Sequence, residues 1–164
     1  MKRALLLIAA SAAVYAFVAW GAASRLPADD VAMHVNTAGE VDETASRAGA
    51  ISFFGGLGVF LLVLAVAALC MVRWVPVRFL NVPHKEYWAA PERAETARQM
   101  LLWDCAVILS MPFLALSFIP INVALLSDNP DTSGLWVVLP IAVWLLAMAA
   151  YMVWMYMRRY RPAP

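Results

Sequence analysis

Four uninterrupted apolar runs constrain this chain more than any other feature of its sequence. They cover about residues 4–23, 50–72, 100–126 and 135–157, and a single charged side chain, Asp104, falls inside them. A helix crossing about 30 Å of hydrocarbon needs roughly 20 apolar residues, and each run reaches that length. Lipid offers no partner to backbone N–H and C=O groups, so such runs are expected as helices and not as strands. Composition agrees: 64% of the 164 residues are hydrophobic and 14% charged, where a soluble domain has about 45–50% and 25%. The mean hydropathy is +0.74. The expected fold is therefore all-α, an integral membrane four-helix bundle forming a single membrane domain over residues 1–164. No repeat, low-complexity segment or long linker divides it.

Orientation is read from lysine and arginine, which resist translocation when they flank a span. Lys2 and Arg3 precede the first run. Arg73, Arg78, Lys85, Arg93 and Arg98 lie between the second and third, and Arg158, Arg159 and Arg161 follow the fourth. Only Arg25 and Arg47 lie on the other side. Both termini are expected in the cytoplasm of a bacterial plasma (inner) membrane. Asp29, Asp30, Glu40, Asp42, Glu43, Asp128 and Asp131 fall on the opposite side. Trp20 and Trp136 mark the outer boundaries, and Trp74, Trp88, Trp103 and Trp154 the inner ones, where amphipathic rings settle. Trp144 lies mid-span and reads as packing. A cleaved signal peptide ending near Gly21-Ala22-Ala23-Ser24 is the rival reading of the first run. That run is longer than the usual apolar core of a signal, about 7–15 residues, which favours a retained helix.

The outer loop, residues 24–49, lacks the apolar periodicity of an independent core and is expected as an ordered loop or short amphipathic hairpin. In the inner loop, residues 73–99, Pro76, Pro83 and Pro91 break the chain into short pieces, with Tyr87 and Trp88 among basic residues. That mixture suits lipid headgroups. Pro91 reads as a first-turn proline, with Glu92 and Glu95 near a helix start and Arg98 one turn on, in a helix that runs into the third span. Pro112 and Pro120 are expected to bend that span, with either a structural or a functional purpose, and Asn122 near its outer end shares the ambiguity.

Little in the chain carries chemistry. A net charge of +1 gives no cue for nucleic acid. Cys70 and Cys105 are expected reduced on the inner side. Phosphate loops, paired metal-ligand motifs and nucleophile elbows are absent from the sequence, so neither catalysis nor a cofactor is expected. His34 and the acids around it are ligand types, but their spacing matches no metal loop, and no metal is expected. His34 and His84 lie on opposite sides, which excludes a two-histidine haem within the bilayer. An intramembrane acid is a functional candidate by default. Asp104, about 6 Å past the inner boundary, also reads as an interfacial acid paired with a cation such as Arg73. Ser52 and Gly56 form a small-xxx-small face for close helix packing or a homo-oligomer contact, with Ala9, Ala12, Ala13 and Ala16 as a matching surface.

Leu26-Pro27, then His34-Val35-Asn36, Gly39 and Asp42, resemble the outer-loop signature of a family of small bacterial membrane proteins of unassigned function. The inner stretch from Asn81 through Pro83, Tyr87 and Trp88 to Arg93 is similar to a second signature of some members. The match covers roughly the first two thirds of the chain. The same module forms the amino-terminal part of immunity proteins against the sporulation-delaying toxin, some of which signal by holding a repressor at the membrane. This chain departs from them in the residues after Asp42 and in lacking their additional helices. The resemblance implies a non-catalytic protein of the toxin-immunity or membrane-sensor type that binds a peptide or protein through its loops. Pro27, His34, Asn36, Gly39, Asp42, Asn81, Pro83, Tyr87 and Trp88 are its candidate residues. His34 and Asp42 are placed to hydrogen-bond to each other or to an extracellular peptide, while the plainer reading folds both loops back onto the helix ends. The alternative function is an accessory or assembly subunit of a larger membrane complex.

Overall fold

A computed structural model describes residues 1–36, 41–129 and 135–162. Gly39, Glu40 and Asp131 lie outside these residues. The elements are α1 (Lys2–Ala23), strands β1 (Val31–Val35) and β2 (Val41–Ala45), α2 (Arg47–Trp74), a 3₁₀ turn (Val77–Phe79), α3 (Lys85–Trp88), α4 (Pro91–Leu116), α5 (Phe118–Asp128), α6 (Leu135–Trp154) and a wide π turn (Met155–Arg159). Four helical segments are long and apolar enough to cross a membrane: Lys2–Ala23, Arg47–Trp74, Pro91–Asp128 and Val138–Arg159. Each contains or overlaps one of the runs read from sequence. They alternate in direction, so the bundle has a hairpin end, near β1 and β2, and a tail end, near both chain termini.

Local chemistry sets the helix ends. Ser46 caps α2, its hydroxyl accepting from the Gly49 amide at 3.2 Å, which satisfies one of the orphan donors of the first turn. Pro91 opens α4 with Glu92 in the first turn, as expected of a proline whose missing N–H costs nothing there. At its other end α2 runs into Pro76. Arg98 of α4 donates from Nη1 to the carbonyls of Val72 and Arg73 at 2.6 Å and of Val75 at 3.1 Å. One guanidinium thus satisfies carbonyls that the helix cannot.

α4 touches α1, α2, α5 and α6 and is the central helix. Its buried side includes Ala97, Leu101, Leu102, Ala106 and Phe113, packed with Ala4, Ile8 and Tyr15 of α1 and Ala65 and Leu69 of α2. A second cluster at the hairpin end joins Ala22, Leu26, Val31, Phe54 and Val123. The third span is not one unbroken helix. It turns at Ser117, whose hydroxyl donates to the Phe113 carbonyl at 2.7 Å, and Pro120 cannot supply the amide that Leu116 would otherwise receive.

The glycine-rich stretch of α2 packs differently from expectation. Ser52 and Gly56 are exposed, and a Cβ on Gly56 would meet nothing within 4 Å. The close approach is at Gly58, where a Cβ would lie 2.8 Å from the Tyr15 ring. Ala9, Ala13 and Ala16 are exposed as well; α1 turns Ile8, Ser11 and Tyr15 inward instead. The helix register decides this, since a large ring at position 15 needs a glycine opposite it. α6 is peripheral: Val138, Leu139, Val143, Leu146 and Val153 all stand exposed. Apolar patches on that scale are foreign to a monomeric soluble protein and natural in hydrocarbon.

Candidate functional site

Two clusters bring chemistry-bearing side chains together, one at each end of the bundle. At the tail end Asp104 is fully buried, at 0% exposure. The Tyr151 hydroxyl donates to its Oδ1 at 2.8 Å, and the Tyr160 hydroxyl donates to Oδ2 at 2.7 Å. The Arg159 Nε lies 2.8 Å from both carboxylate oxygens. A buried carboxylate is tolerable only with a countercharge and its lone pairs occupied, and this one has both. The cation comes from the far end of the chain. Arg73, the partner expected from sequence, instead lies 5.7 Å from the centre of the Trp74 ring.

The wide turn Met155–Arg159 makes this convergence possible. At about 100° per residue, a regular helix would place Tyr160 half a turn away from Tyr151, nine positions earlier. The turn is closed by the Tyr160 amide donating to the Met155 carbonyl at 3.0 Å, five residues back. That extra residue slows the rotation, so Tyr160 swings round to the face of α6 that meets α4. Burial, then the hydrogen bond to Asp104 and its negative field, raise the Tyr160 hydroxyl above the ordinary tyrosine range. It stays protonated and donating.

The inner-loop signature folds onto the same place. The Trp88 indole N–H donates to the Tyr160 carbonyl at 2.8 Å, and the two rings meet edge to face at 6.2 Å. Tyr87 contacts Trp88 at 5.0 Å and carries the Arg93 guanidinium 4.2 Å from its ring centre, while Arg93 Nε donates to the Tyr87 carbonyl at 2.9 Å. His84, in the left-handed conformation at φ 53°, stacks on Tyr156 at 5.7 Å. Asn81 is exposed and Pro83 half-buried. α3, α4 and the end of α6 are thereby tied into one polar and aromatic knot.

At the hairpin end, β1 and β2 form an antiparallel pair with register shifts around His34. His34 Nδ1 lies 2.6 Å from the Asp42 carboxylate, and both side chains are well exposed, at 62% and 43%. The pairing read from sequence is present. Val31 and Ala32 are buried, and the Ala32 amide donates to the Ser127 hydroxyl at 3.2 Å, so α5 covers the outer edge of β1. The other edge, on β2, carries exposed Asp42, Glu43 and Thr44. Pro27 is exposed and Asn36 half-buried nearby.

Sequence reasoning found Asp104 but missed Tyr151, Arg159 and Tyr160. A tyrosine and an arginine beyond the fourth run were visible; the turn that aims them was not. Among the described residues, no group of three histidine, cysteine or acidic side chains converges as a metal site. Three buried polar atoms among them lack a partner: Ser110 Oγ, Asn122 Oδ1 and Trp144 Nε1. Comparison with protein-family models, curated proteins and solved structures finds no match.

Proposed function

We propose that this chain is a non-catalytic multi-pass protein of the bacterial plasma membrane, of the toxin-immunity or membrane-sensor type, with both termini in the cytoplasm. It binds an extended cationic peptide on its outer hairpin. The observation that carries this reading is the edge of β2 that no described strand pairs with, flanked by exposed Asp42 and Glu43, on a sheet anchored to the bundle through Val31 and Ser127. A free strand edge is a ready template for an added strand, whose main-chain bonds give affinity while flanking charge selects the partner. The His34–Asp42 bond stiffens the platform. The loop resemblance to immunity proteins points the same way.

The test is protection of a susceptible bacterium against a panel of cationic antimicrobial peptides. Cells producing the chain should survive at least one, and His34→Ala or Asp42→Asn should lose that survival at unchanged membrane abundance. Survival that never depends on the chain, or that persists in both variants, overturns the reading.

A second reading, an accessory subunit of a larger membrane complex, is favoured by the exposed Ser52 and Gly56, a stripe of small residues that no described residue covers. Gentle detergent extraction followed by mass spectrometry separates the two. A stoichiometric membrane partner lost on Gly56→Leu supports the subunit reading, and a chain that purifies alone removes it.

A further inference from the structure

α1 and α2 approach closely where the Tyr15 ring faces Gly58. On the tail side of that contact their residues Ala4, Ile8, Ala65 and Leu69 are all buried. On the hairpin side, a Cβ added at Gly55 would meet nothing within 4 Å. Between α1 and α2 on that side lies a groove of about 570 Å³, floored by Tyr15, Phe54 and Phe113. Its floor is dry in character: the Tyr15 hydroxyl is already committed to the Phe54 carbonyl at 2.9 Å. An apolar hollow of this kind holds no water and, inside a bilayer, is filled by whatever hydrocarbon fits it.

Dimensions and charge choose the occupant. On α1 the groove runs from Ala12 to Ser24, about 18 Å at 1.5 Å per residue, close to the ~15 Å depth of one leaflet. A single extended acyl chain matches that length, and the lining is almost wholly apolar along it. The mouth at the hairpin end carries Trp20, Ser24 and the exposed Arg47. Among the described residues no side chain pairs with the Arg47 guanidinium, which sits at the start of α2, where the helix dipole also favours an anion.

We propose that the α1–α2 groove is a binding site for an anionic phospholipid, one acyl chain lying over Tyr15, Phe54 and Phe113 and the phosphate held at Arg47.

Native mass spectrometry of the full chain in detergent, titrated separately with phosphatidylglycerol and phosphatidylcholine of matched acyl chains, tests this. One phosphatidylglycerol should be retained per chain in preference to phosphatidylcholine. Arg47→Ala, a change at an exposed side chain, should lower phosphatidylglycerol affinity about fivefold, the effect of one interfacial cation, and remove the preference. Gly55→Trp, at a position open enough to accept a large ring, should abolish retention of both lipids while circular dichroism stays unchanged. Phosphatidylglycerol held equally by both variants would place the lipid elsewhere and overturn the proposal. A dimer in place of a lipid adduct, lost in Gly55→Trp, would assign the groove to a second copy and overturn it as well.

Discussion

Asp104 makes sense only together with the three donors around it. Removing its charge leaves Arg159 without a counterion and forces one donor of the new amide against Tyr or Arg donors. Asp104→Asn should therefore cost about 3–5 kcal/mol, the scale of a broken buried pair, read as a large fall in the midpoint of thermal unfolding in detergent. Tyr160→Phe removes one hydrogen bond to the carboxylate and keeps the ring on Trp88, so its cost should be about 1.5–3 kcal/mol. The double variant should fall well short of the sum, because the hydroxyl has no carboxylate left to lose. Additive losses would show that Tyr160 and Asp104 do not share a network. Gly58 offers a second residue-scale check. Gly58→Leu drives a side chain into the Tyr15 ring, and overpacking of this sort costs about 1–3 kcal/mol. Gly56→Leu, at an open position, should leave the midpoint unchanged, and equal losses at the two glycines would remove the packing assignment.

Among the elements, those whose cause is local were legible and those whose cause is distant were not. Pro91 at a helix start is a local device, since a proline's fixed φ suits the first turn whatever surrounds it, and the sequence placed it correctly. The partnership of His34 and Asp42 was one of two options open from the sequence, and the antiparallel pairing of β1 with β2 is what brings the two side chains together. The wide turn at Met155–Arg159 was hidden: nothing in Met-Tyr-Met-Arg-Arg alone favours a bond to the fifth residue back, and the turn is held by what Arg159 and Tyr160 meet on α4. The choice of Gly58 over Gly56 depended likewise on which face of α1 presents Tyr15. Arg98 belongs to the same class, an α4 side chain that finishes α2. Arg98→Ala should release the carbonyls of Val72, Arg73 and Val75 and fray the end of α2. Hydrogen exchange should then speed up by about tenfold or more over residues 70–75, for a loss of about 1.5 kcal/mol or more, while the start of α2 near Ser46 keeps its protection. Uniform acceleration along α2 would instead show that Arg98 supports the whole bundle.

For the whole molecule, the outward faces of α2 and α6 and the inward burial of α4 are one argument. A bundle in water turns its apolar stripes toward a shared core, whereas here α6, apolar on every face, is the least covered, and the polar residues Asp104, Ser110 and Asn122 are buried. Hydropathy therefore revealed the spans but could not rank them by burial, because in lipid the exposed positions are as apolar as the core. Sidedness rests on a different property, the crowding of lysine and arginine at the tail end, and labelling tests it directly. With Cys70 and Cys105 replaced by alanine, Glu43→Cys on the hairpin and Lys85→Cys in the loop before α4 each present one exposed thiol. A membrane-impermeant maleimide applied to intact cells should label the first and reach the second only after permeabilisation. The reverse pattern would put the hairpin in the cytoplasm, and with it would fall both the peptide-binding reading and the assignment of the α1–α2 groove to the outer leaflet.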